Sequence, residues 1–242
     1  MIPLKDKIAV ITGASSGIGK AIALDLAAKG AKTCLLGRKL ETLEKVATVA
    51  RKSAPQALCY QVDLTVDRDI RKVADSLQRE FTCVDLLIHS AGLISLGPLE
   101  SSPVEDFDRQ YQINVRAPYA LTQALLPMLR SCQGQIVFIN SSAGLDAGPE
   151  VGQYSATKHA LKAIADSFRQ EINAEGLRVL SVYPGRTASP MQEAVFRKEG
   201  RDYRPELLMQ PEDVAAVIVH ALTLPRSAEV TDINVRPLIK SS

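Results

Sequence analysis

The chain has 242 residues, 46% of them hydrophobic and 23% charged, which suffices for one well-buried α/β domain over residues 1–242. Its 29 basic and 27 acidic residues leave a net charge of +2, and they form no charge block of the kind that binds nucleic acid or anionic membranes. We therefore expect a small-molecule partner and neither a nucleic-acid nor a membrane partner.

Short β-branched runs alternate with segments of helical spacing along the chain. The runs are apolar nearly throughout, as expected of parallel strands that helices cover on both faces. The pattern predicts a doubly wound, seven-stranded parallel sheet in a single domain. The connection at 184–210 shows no clear element, and we expect it to form a lid over the substrate. Predicted strands lie at 7–12, 32–37, 57–62, 84–89, 135–140, 177–183 and 229–235, with helices between them such as 17–29 and 152–174.

The expected location is the cytoplasm. The first residues, MIPLKDKIAVITG, lack the pattern of a secretory leader, and no run approaches ~18 uninterrupted apolar residues. The four cysteines lie inside apolar runs that look like strands or helices, without the spacing of a zinc site or of a secreted disulfide framework. We expect them to be free thiols in a reducing compartment: Cys34, Cys59, Cys83 and Cys132.

A glycine turn, TGASSGIGK (12–20), follows the first predicted strand. A phosphate loop of the NTPase type is excluded, since Ala14 and Ala21 stand where that motif needs Gly and Ser or Thr. A nucleophile elbow centred on Ser15 is disfavoured, because too few residues precede it to supply an oxyanion loop. The remaining interpretation is a dinucleotide site, in which glycines bring a pyrophosphate close to backbone N–H groups at a helix N-terminus. A purely structural turn is the alternative.

The end of the second predicted strand indicates which dinucleotide binds. An acid at this position bonds the ribose hydroxyls of NAD, whereas an Arg accommodates the 2′-phosphate of NADP. The sequence here is LLGRK, with Gly37 in place of the acid and Arg38 next to it. The prediction is NADP(H); the alternative is a solvated basic helix start, because Lys39 adjoins Arg38.

The segment QYSATKH (153–159) places three protonatable side chains on one predicted helix. Tyr154 and Lys158 are four residues apart and share a face, whereas His159 points away from it. A tyrosine of reference pKa ~10 donates a proton poorly at neutral pH unless a nearby cation stabilises its anion. Tyr-x3-Lys alone is common on amphipathic helices, but INSSAG (139–144) ends a strand shortly before it, and strand ends of such sheets face the ligand crevice.

Taken together, these motifs resemble the short-chain dehydrogenase/reductase family over nearly the whole chain. The matching segments, in order, are TGASSGIG, Asp63-Leu64, HSAG (89–92), QIN ending at Asn114, INSSAG, YSATK and YPG (183–185). The resemblance implies a Rossmann fold and hydride transfer between NADP(H) and a carbonyl or secondary alcohol. It also implies a homodimer or homotetramer, with the helices at 104–130 and 152–174 at the interface.

The resemblance assigns four catalytic residues and no metal. Ser141 would hold the substrate carbonyl, with Ser142 as the alternative, and Tyr154 would be the general acid/base. Lys158 would bind the nicotinamide ribose and lower the tyrosine pKa, and Asn114 would position a proton-relay water. The implied cofactor contacts are Gly13, Ser15, Ser16, Gly17, Ile18, Gly19, Arg38, Asp63, Leu64, Ser90, Ala91, Gly92, Tyr154, Lys158, Pro184, Gly185, Thr187 and Ser189.

Several features stay open at this stage. His89-Ser90 replaces the usual Asn-Asn of the family, and we expect His89 to support the cofactor segment by packing rather than by titrating. Ser189 or Thr187 would contact the nicotinamide carboxamide. The basic residues within 186–204 would either clamp a substrate carboxylate or form the solvated face of a lid. The final stretch EVTDINVRPL lacks the Gly-rich ending of fatty-acid-synthesis reductases.

Two other functions are alternatives to carbonyl reduction or alcohol oxidation. A cofactor-binding regulator without activity would not need the complete set of Asn114, Ser141, Tyr154 and Lys158. An epimerase or dehydratase shares Tyr-x3-Lys but usually carries a longer C-terminal domain. The leading prediction is therefore an NADP(H)-dependent carbonyl reductase or alcohol dehydrogenase.

Overall fold

Seven strands form one parallel sheet in the computed structural model, which describes residues 3–238. The strand order is β3-β2-β1-β4-β5-β6-β7, and every neighbouring pair is parallel. The predicted doubly wound parallel sheet is confirmed. The strands are β1 (Ile8–Thr12), β2 (Lys32–Gly37), β3 (Ala57–Gln61), β4 (Leu86–His89), β5 (Gln135–Ile139), β6 (Arg178–Pro184) and β7 (Asp232–Val235).

Helices cover both faces of this sheet, and each face has its own apolar core. One core joins the sheet to the first, second and last helices through residues such as Leu26, Leu43 and Ile218. The other joins it to the remaining long helices through residues such as Leu77 and Leu121. The helices are α1 (Gly17–Ala28), α2 (Leu40–Ala50), α3 (Asp67–Glu80), α4 (Val104–Tyr111), α5 (Ala117–Arg130), α6 (Gly152–Ile172), α7 (Pro190–Lys198) and α8 (Pro211–Leu222).

The central strands are apolar throughout because alternate side chains enter the two cores. In β1, Ile8 and Val10 pack into one core, and Ala9 and Ile11 into the other. The edge strands β3 and β7 depart from the expected continuous burial. Each has residues partly or fully exposed to solvent, since a strand at the edge of a sheet has a neighbour on one side only.

Two predicted strands begin later than the sequence pattern indicated. β4 begins at Leu86 rather than at residue 84, because the Asp85 carboxylate accepts the Ile8 N–H at 2.9 Å. β7 begins at Asp232 rather than at residue 229, since the Glu229 carboxylate instead accepts the Val179 N–H at 3.0 Å. In both cases a side-chain oxygen takes the place of a ladder hydrogen bond.

The predicted helical stretch 104–130 contains a π-helical turn, Gln112–Arg116, between α4 and α5. The Ala117 N–H bonds the Gln112 carbonyl, five residues back. Pro118 follows at the start of α5; it has no N–H to give to the Asn114 carbonyl four residues earlier, which favours a break in the α-helical register. Such turns often occur at functional sites, and this one carries Asn114.

The connection at 184–210 contains ordered structure. α7 lies within it, a 3₁₀ turn follows at Pro205–Leu207, and Thr187 forms an isolated parallel bridge to Met209. Its role as a lid stays a prediction.

Two of the cysteines do not lie in apolar strands or helices as expected. Cys83 lies in the loop before β4, and Cys132 lies in the turn after α5. Within residues 3–238, no helix is both long and apolar enough to cross a membrane. The expected cytoplasmic location stays a prediction.

Candidate active site

The glycine turn after β1 brings the backbone closer to its neighbours than a side chain would allow. Gly13 has φ +64°, and a Cβ there would lie 2.8 Å from the Ala91 nitrogen. A Cβ at Gly19 would lie 2.6 Å from the Gly13 carbonyl oxygen. No side chain caps the N-terminus of α1, so its first N–H groups face outward for an anion. The turn therefore fits a bound pyrophosphate, and Ser15 and Ser16 are exposed on it.

Thr12 ties this turn to the segment that follows β4. Its hydroxyl oxygen accepts the N–H groups of Ser90 at 3.0 Å and Ala91 at 3.1 Å. The sequence reasoning did not assign Thr12 a role, and its position at the last residue of β1 was the only signal for one. Two predicted cofactor segments, 13–19 and 90–92, are thus held together by one threonine.

The predicted adenine end lies beside a cavity of about 500 Å³. Arg38 and Asp63 both line this cavity, and Arg38 is exposed. Hydrogen bonds from the side chain and backbone of Thr65 lower the pKa of the Asp63 carboxyl group. Leu64 is buried beside it. A cation and a carboxylate therefore flank the place where an adenosine phosphate would sit.

Ser141, Tyr154 and Lys158 come together at the carboxyl ends of β5 and β6. Ser141 lies close enough to the Tyr154 hydroxyl group to influence the pKa of that tyrosine, and its own oxygen accepts the Ala143 N–H at 3.2 Å. Lys158 Nζ donates to the Ile139 carbonyl at 3.0 Å and lies 5.7 Å from the centre of the Tyr154 ring. The tyrosine and the lysine are both buried.

Burial dominates the electrostatics of this group. It raises the pKa of Tyr154 to about 12, although the hydrogen bond to Ser141 acts in the opposite direction. It lowers the pKa of Lys158 to about 8. The expected lowering of the tyrosine pKa by the lysine is therefore not a property of these side chains alone, because desolvation outweighs the effect of the neighbouring groups.

Asn114 is buried in the π-helical turn and crosslinks three segments. Its side-chain oxygen accepts the Leu93 N–H at 2.8 Å, and its amide donates to the Leu93 carbonyl at 2.8 Å and to the Thr157 hydroxyl at 3.0 Å. Thr157 in turn donates to the Tyr154 carbonyl at 2.8 Å. Asn114 thus links the segment after Gly92 to the helix that carries the tyrosine and lysine.

Asn140 was not singled out from the sequence, yet it positions two members of the group. Its amide donates to the Lys158 carbonyl at 3.1 Å, and its side-chain oxygen accepts the Ser141 N–H at 2.9 Å. A Cβ at Gly144 would lie 2.4 Å from that oxygen, so the glycine leaves room for the amide. Its place beside Ser141 in INSSAG was the available signal.

The two histidines near the site take structural contacts. His89 Nε2 lies 2.8 Å from the Thr122 hydroxyl, and its ring stacks on Phe138 with centres 5.0 Å apart. Burial lowers the pKa of His89 to about 3, so it is neutral near pH 7. His159 Nδ1 lies 2.9 Å from the Ser155 carbonyl, one turn back on its own helix.

The segment after β6 adjoins the glycine turn. A Cβ on Gly17 would lie 3.2 Å from Ser189 Cβ, so Ser189 lies next to that turn. Its hydroxyl oxygen caps α7 by accepting the Gln192 N–H at 3.2 Å. The Thr187 hydroxyl instead donates to the Gly185 carbonyl at 3.0 Å. Ser189 is therefore the candidate that adjoins the glycine turn, and the choice between Ser189 and Thr187 for the carboxamide contact stays open.

Three of the basic residues of 186–204 are engaged by neighbouring groups: Arg186, Lys198 and Arg201. Arg186 makes two hydrogen bonds to Glu199, of 2.9 and 2.7 Å, and Arg201 Nη1 lies 3.3 Å from the same carboxylate. Both guanidinium groups lie 4.9 Å from the centre of the Phe196 ring. Lys198 donates to the Leu96 carbonyl. This arrangement favours a structural role over a carboxylate clamp.

A sequence profile of the short chain dehydrogenase family matches residues 7–200. The chain belongs to the short-chain dehydrogenase/reductase family and is an oxidoreductase of that type. An uncharacterized oxidoreductase of Staphylococcus epidermidis is 31% identical to it over 239 residues, which cover 98% of this chain and all of the relative.

Solved structures show the same similarity. A putative short chain dehydrogenase from Shigella flexneri, complexed with NADP, is 30% identical with a TM-score of 0.89, covering 96% of this chain and 98% of that one. An alcohol dehydrogenase from the archaeon Thermococcus sibiricus, complexed with 5-hydroxy-NADP, is 25% identical with a TM-score of 0.89, covering 98% of both chains.

Proposed function

We propose that this protein transfers a hydride between NADP(H) and a carbonyl or secondary alcohol, with Tyr154 as general acid/base. The observation that carries the proposal is the group formed by the partly buried Ser141 and the buried Tyr154 and Lys158 at the carboxyl ends of the strands, held in place by Asn114 and Asn140. Groups that do chemistry in an open parallel sheet face the crevice at this edge.

The glycine turn and Arg38 support NADP(H) as the cofactor. Gly13 and Gly19 leave the cradle that a Cβ would fill, and the uncapped N-terminus of α1 favours a pyrophosphate. Arg38 is exposed at the end of β2, where a cation accommodates a 2′-phosphate. The Shigella flexneri relative was solved with NADP, and the archaeal one with a derivative of it.

The side chains of this chain would handle the proton and the carbonyl oxygen. When bound, NADP(H) supplies or accepts the hydride at the substrate carbon. Ser141 would hold the carbonyl oxygen, and Tyr154 would give it a proton in reduction or take one from the alcohol in oxidation. Since the pKa of Tyr154 is raised to about 12, the tyrosine starts as the protonated acid, which suits the reductive direction. The Lys158 ammonium would favour its anion afterwards.

Turnover of Tyr154→Phe compared with the parent tests the mechanism. The assay follows NADPH oxidation over a panel of aldehydes and ketones, and NADP⁺ reduction over secondary alcohols. Loss of the proton donor should lower kcat by ~10²–10⁴-fold, with little change in NADPH binding. His159→Phe is the matched control, because His159 lies on the same helix and bonds only its own backbone among the described residues.

Two results would contradict the proposal. Turnover that is equal in Tyr154→Phe and the parent would remove Tyr154 from the mechanism. NADPH binding by the parent without turnover of any compound on either panel would favour the competing function, a cofactor-binding regulator. An epimerase or dehydratase would instead transform its substrate without net change in NADPH.

Cofactor preference tests Arg38 separately. The parent should bind NADPH more tightly than NADH, and Arg38→Ala should lose about tenfold of that preference, since a charge-assisted hydrogen bond to phosphate is worth ~1.5 kcal/mol at an exposed site. Lys39→Ala is the control for general loss of positive charge. Equal affinity for the two cofactors in the parent would contradict the assignment.

Association through α4, α5 and α6 is part of the proposal. Tyr111 and Tyr119 on the two shorter helices are 45% and 42% exposed, a large aromatic surface for helices that would otherwise face solvent. Light scattering at micromolar concentration should show a homodimer or homotetramer. A monomer would contradict this part and leave the catalytic assignment intact.

A further inference from the structure

Two cysteines from separate loops meet at the amino-terminal edge of the sheet, opposite the candidate active site. Cys83 lies just before β4, and Cys132 just after α5. Their sulfur atoms and a carboxylate oxygen of Asp85 lie within 4.8 Å of one another. Both cysteines are partly exposed, so a small reagent can reach them. Nothing in the proposed hydride transfer uses these thiols.

The two loops are fixed against each other around Val84. The Val84 N–H donates to the Met128 carbonyl at 3.2 Å, and the Cys132 thiol donates to the Val84 carbonyl at 3.1 Å. A Cβ at Gly134 would lie 2.7 Å from that same carbonyl oxygen, so the glycine permits the close approach. The backbone on both sides therefore holds the thiols near each other, rather than leaving their encounter to loop motion.

We propose that Cys83 and Cys132 form a reversible intramolecular disulfide when the protein meets a hydroperoxide. One cysteine, as its thiolate, attacks the peroxide oxygen; the O–O bond breaks, and a sulfenic acid and water or an alcohol result. The second thiolate attacks that sulfur, the S–S bond forms, and water leaves. The two thiols together lose two electrons, and the peroxide gains them. A thiol reductant restores the pair by exchange.

The surroundings favour this reaction over metal binding. Both carboxylate oxygens of Asp85 already have partners, Lys7 Nζ at 2.8 Å and the Ile8 N–H at 2.9 Å. The Lys7 ammonium would also repel a metal cation. Burial raises the pKa of the Cys132 thiol, which disfavours ligation of a metal by its thiolate and makes its own attack on a peroxide slow.

The other two cysteines provide an internal control. Cys34 and Cys59 lie on neighbouring strands, β2 and β3, with Leu35 rather than Cys34 opposite Cys59. Cys34 packs into one apolar core, whereas Cys59 packs against the other. Their side chains are therefore on opposite faces of the sheet and cannot join without unfolding.

The experiment uses the full-length protein, first reduced and then treated with hydrogen peroxide. Remaining thiols are alkylated under denaturing conditions, and intact mass and peptide mapping follow. We expect loss of two hydrogens and a linked peptide pair containing Cys83 and Cys132. The thermal midpoint should rise by roughly 5–10 °C, because the bond closes a long loop. Dithiothreitol should reverse both changes.

Variants identify the bond. Cys34→Ser and Cys59→Ser should still form the linkage, whereas Cys83→Ser and Cys132→Ser should not. The proposal is overturned if both thiols of the folded parent remain open to alkylation after peroxide, or if Cys83 or Cys132 is oxidised to a sulfinic acid without a linked product. Stoichiometric zinc in the purified protein that blocks both thiols would also overturn it, in favour of a metal site.

Discussion

The two edges of the sheet each contain a buried charged residue, and these two residues differ in whether the charge is paired. At the carboxyl edge, Lys158 is 3% exposed; its hydrogen bond is to the Ile139 carbonyl, and no carboxylate pairs with it among residues 3–238. At the amino edge, Asp85 is 9% exposed but has both an ammonium and a backbone N–H as partners. An unpaired buried charge destabilises a fold, whereas a paired one is tolerated. The first edge is therefore organised for chemistry and the second for stability.

The largest expected effect is that of Lys158→Met. Burial lowers the lysine pKa from its ordinary value of 10.5 to about 8, so the unfolded chain binds more protons between these values and stability rises with pH across that window. At pH 7 the buried charge costs ~3 kcal/mol. Lys158→Met should therefore raise the free energy of unfolding by ~1–3 kcal/mol while turnover falls on the order of 100-fold.

Urea unfolding and steady-state kinetics at pH 7 measure the two effects of Lys158→Met. Lys162→Met is the matched control, since Lys162 lies one turn further along the same helix and pairs with Asp166 at 2.6 Å. It should change neither quantity much. A Lys158→Met protein that is both less stable and inactive would show that the lysine stabilises the fold. That result would contradict the proposed difference between an edge organised for chemistry and an edge organised for stability.

Asp85→Ala should have the opposite pattern at the other edge. The substitution removes the acceptor of the Ile8 N–H and the partner of Lys7, whose side chain is 40% exposed and returns to solvent. The free energy of unfolding should fall by ~2–3 kcal/mol, chiefly because the backbone donor is left without an acceptor. Turnover per folded molecule should be unchanged. Asp85→Asn, which keeps an oxygen for the Ile8 N–H, should lose less stability.

The sequence predicted the parts of the molecule that depend on local pattern. Strand runs, the glycine turn and the pairing of Tyr154 with Lys158 follow from spacing along the chain, and the seven strands appear within a few residues of their predicted bounds. The two predicted strand starts that were wrong, at residues 84 and 229, fail for one reason. In each, a side chain takes a hydrogen bond from a strand distant in sequence.

Contacts between distant segments could not be predicted from spacing. The link from Thr12 to the segment after β4 and the approach of Cys83 to Cys132 both join residues far apart in the chain. The burial that raises the pKa of Tyr154 also depends on the whole fold, and the lowering expected from the lysine, the cofactor charge and the serine together stays a prediction. The π-helical turn at Asn114 does not show in the helical spacing of the sequence, and Pro118 was the only local signal for it.

His89→Asn tests how the stability of the carboxyl edge depends on pH. Burial lowers the His89 pKa from 6.5 to about 3, so the unfolded chain binds the extra proton in that window and stability falls as pH falls through it. At pH 5 this amounts to ~2 kcal/mol relative to pH 7. At pH 7, the free energy of unfolding of His89→Asn should be ~1 kcal/mol lower than that of the parent, because the stacking on Phe138 is gone. Between pH 7 and pH 5, the free energy of unfolding should fall by ~2 kcal/mol less in His89→Asn than in the parent.

Urea unfolding at both pH values checks the His89 prediction. His220→Asn, which removes an exposed histidine of α8, is the control for a general effect of histidine content. An unchanged slope of stability against pH in His89→Asn would show that other groups control the acid sensitivity of this edge.

The smallest expected effect is that of Glu199→Gln, in the proposed lid. Glu199 lies on the functional side of the sheet, but its charge is paired, as that of Asp85 is at the amino edge. Hydrogen bonds from Arg186, with Arg201 nearby, lower the pKa of Glu199, so its carboxylate is charged at neutral pH. Glu199→Gln should lose ~1 kcal/mol of stability and raise the KM for the carbonyl substrate about threefold, with kcat unchanged, because the lid then closes less often over the substrate. Glu193→Gln, at an exposed ion pair with Arg197, should change neither. A KM equal to that of the parent would mean that these charges stabilise the fold and play no part in closure, which would extend the rule for Asp85 to the functional side of the sheet.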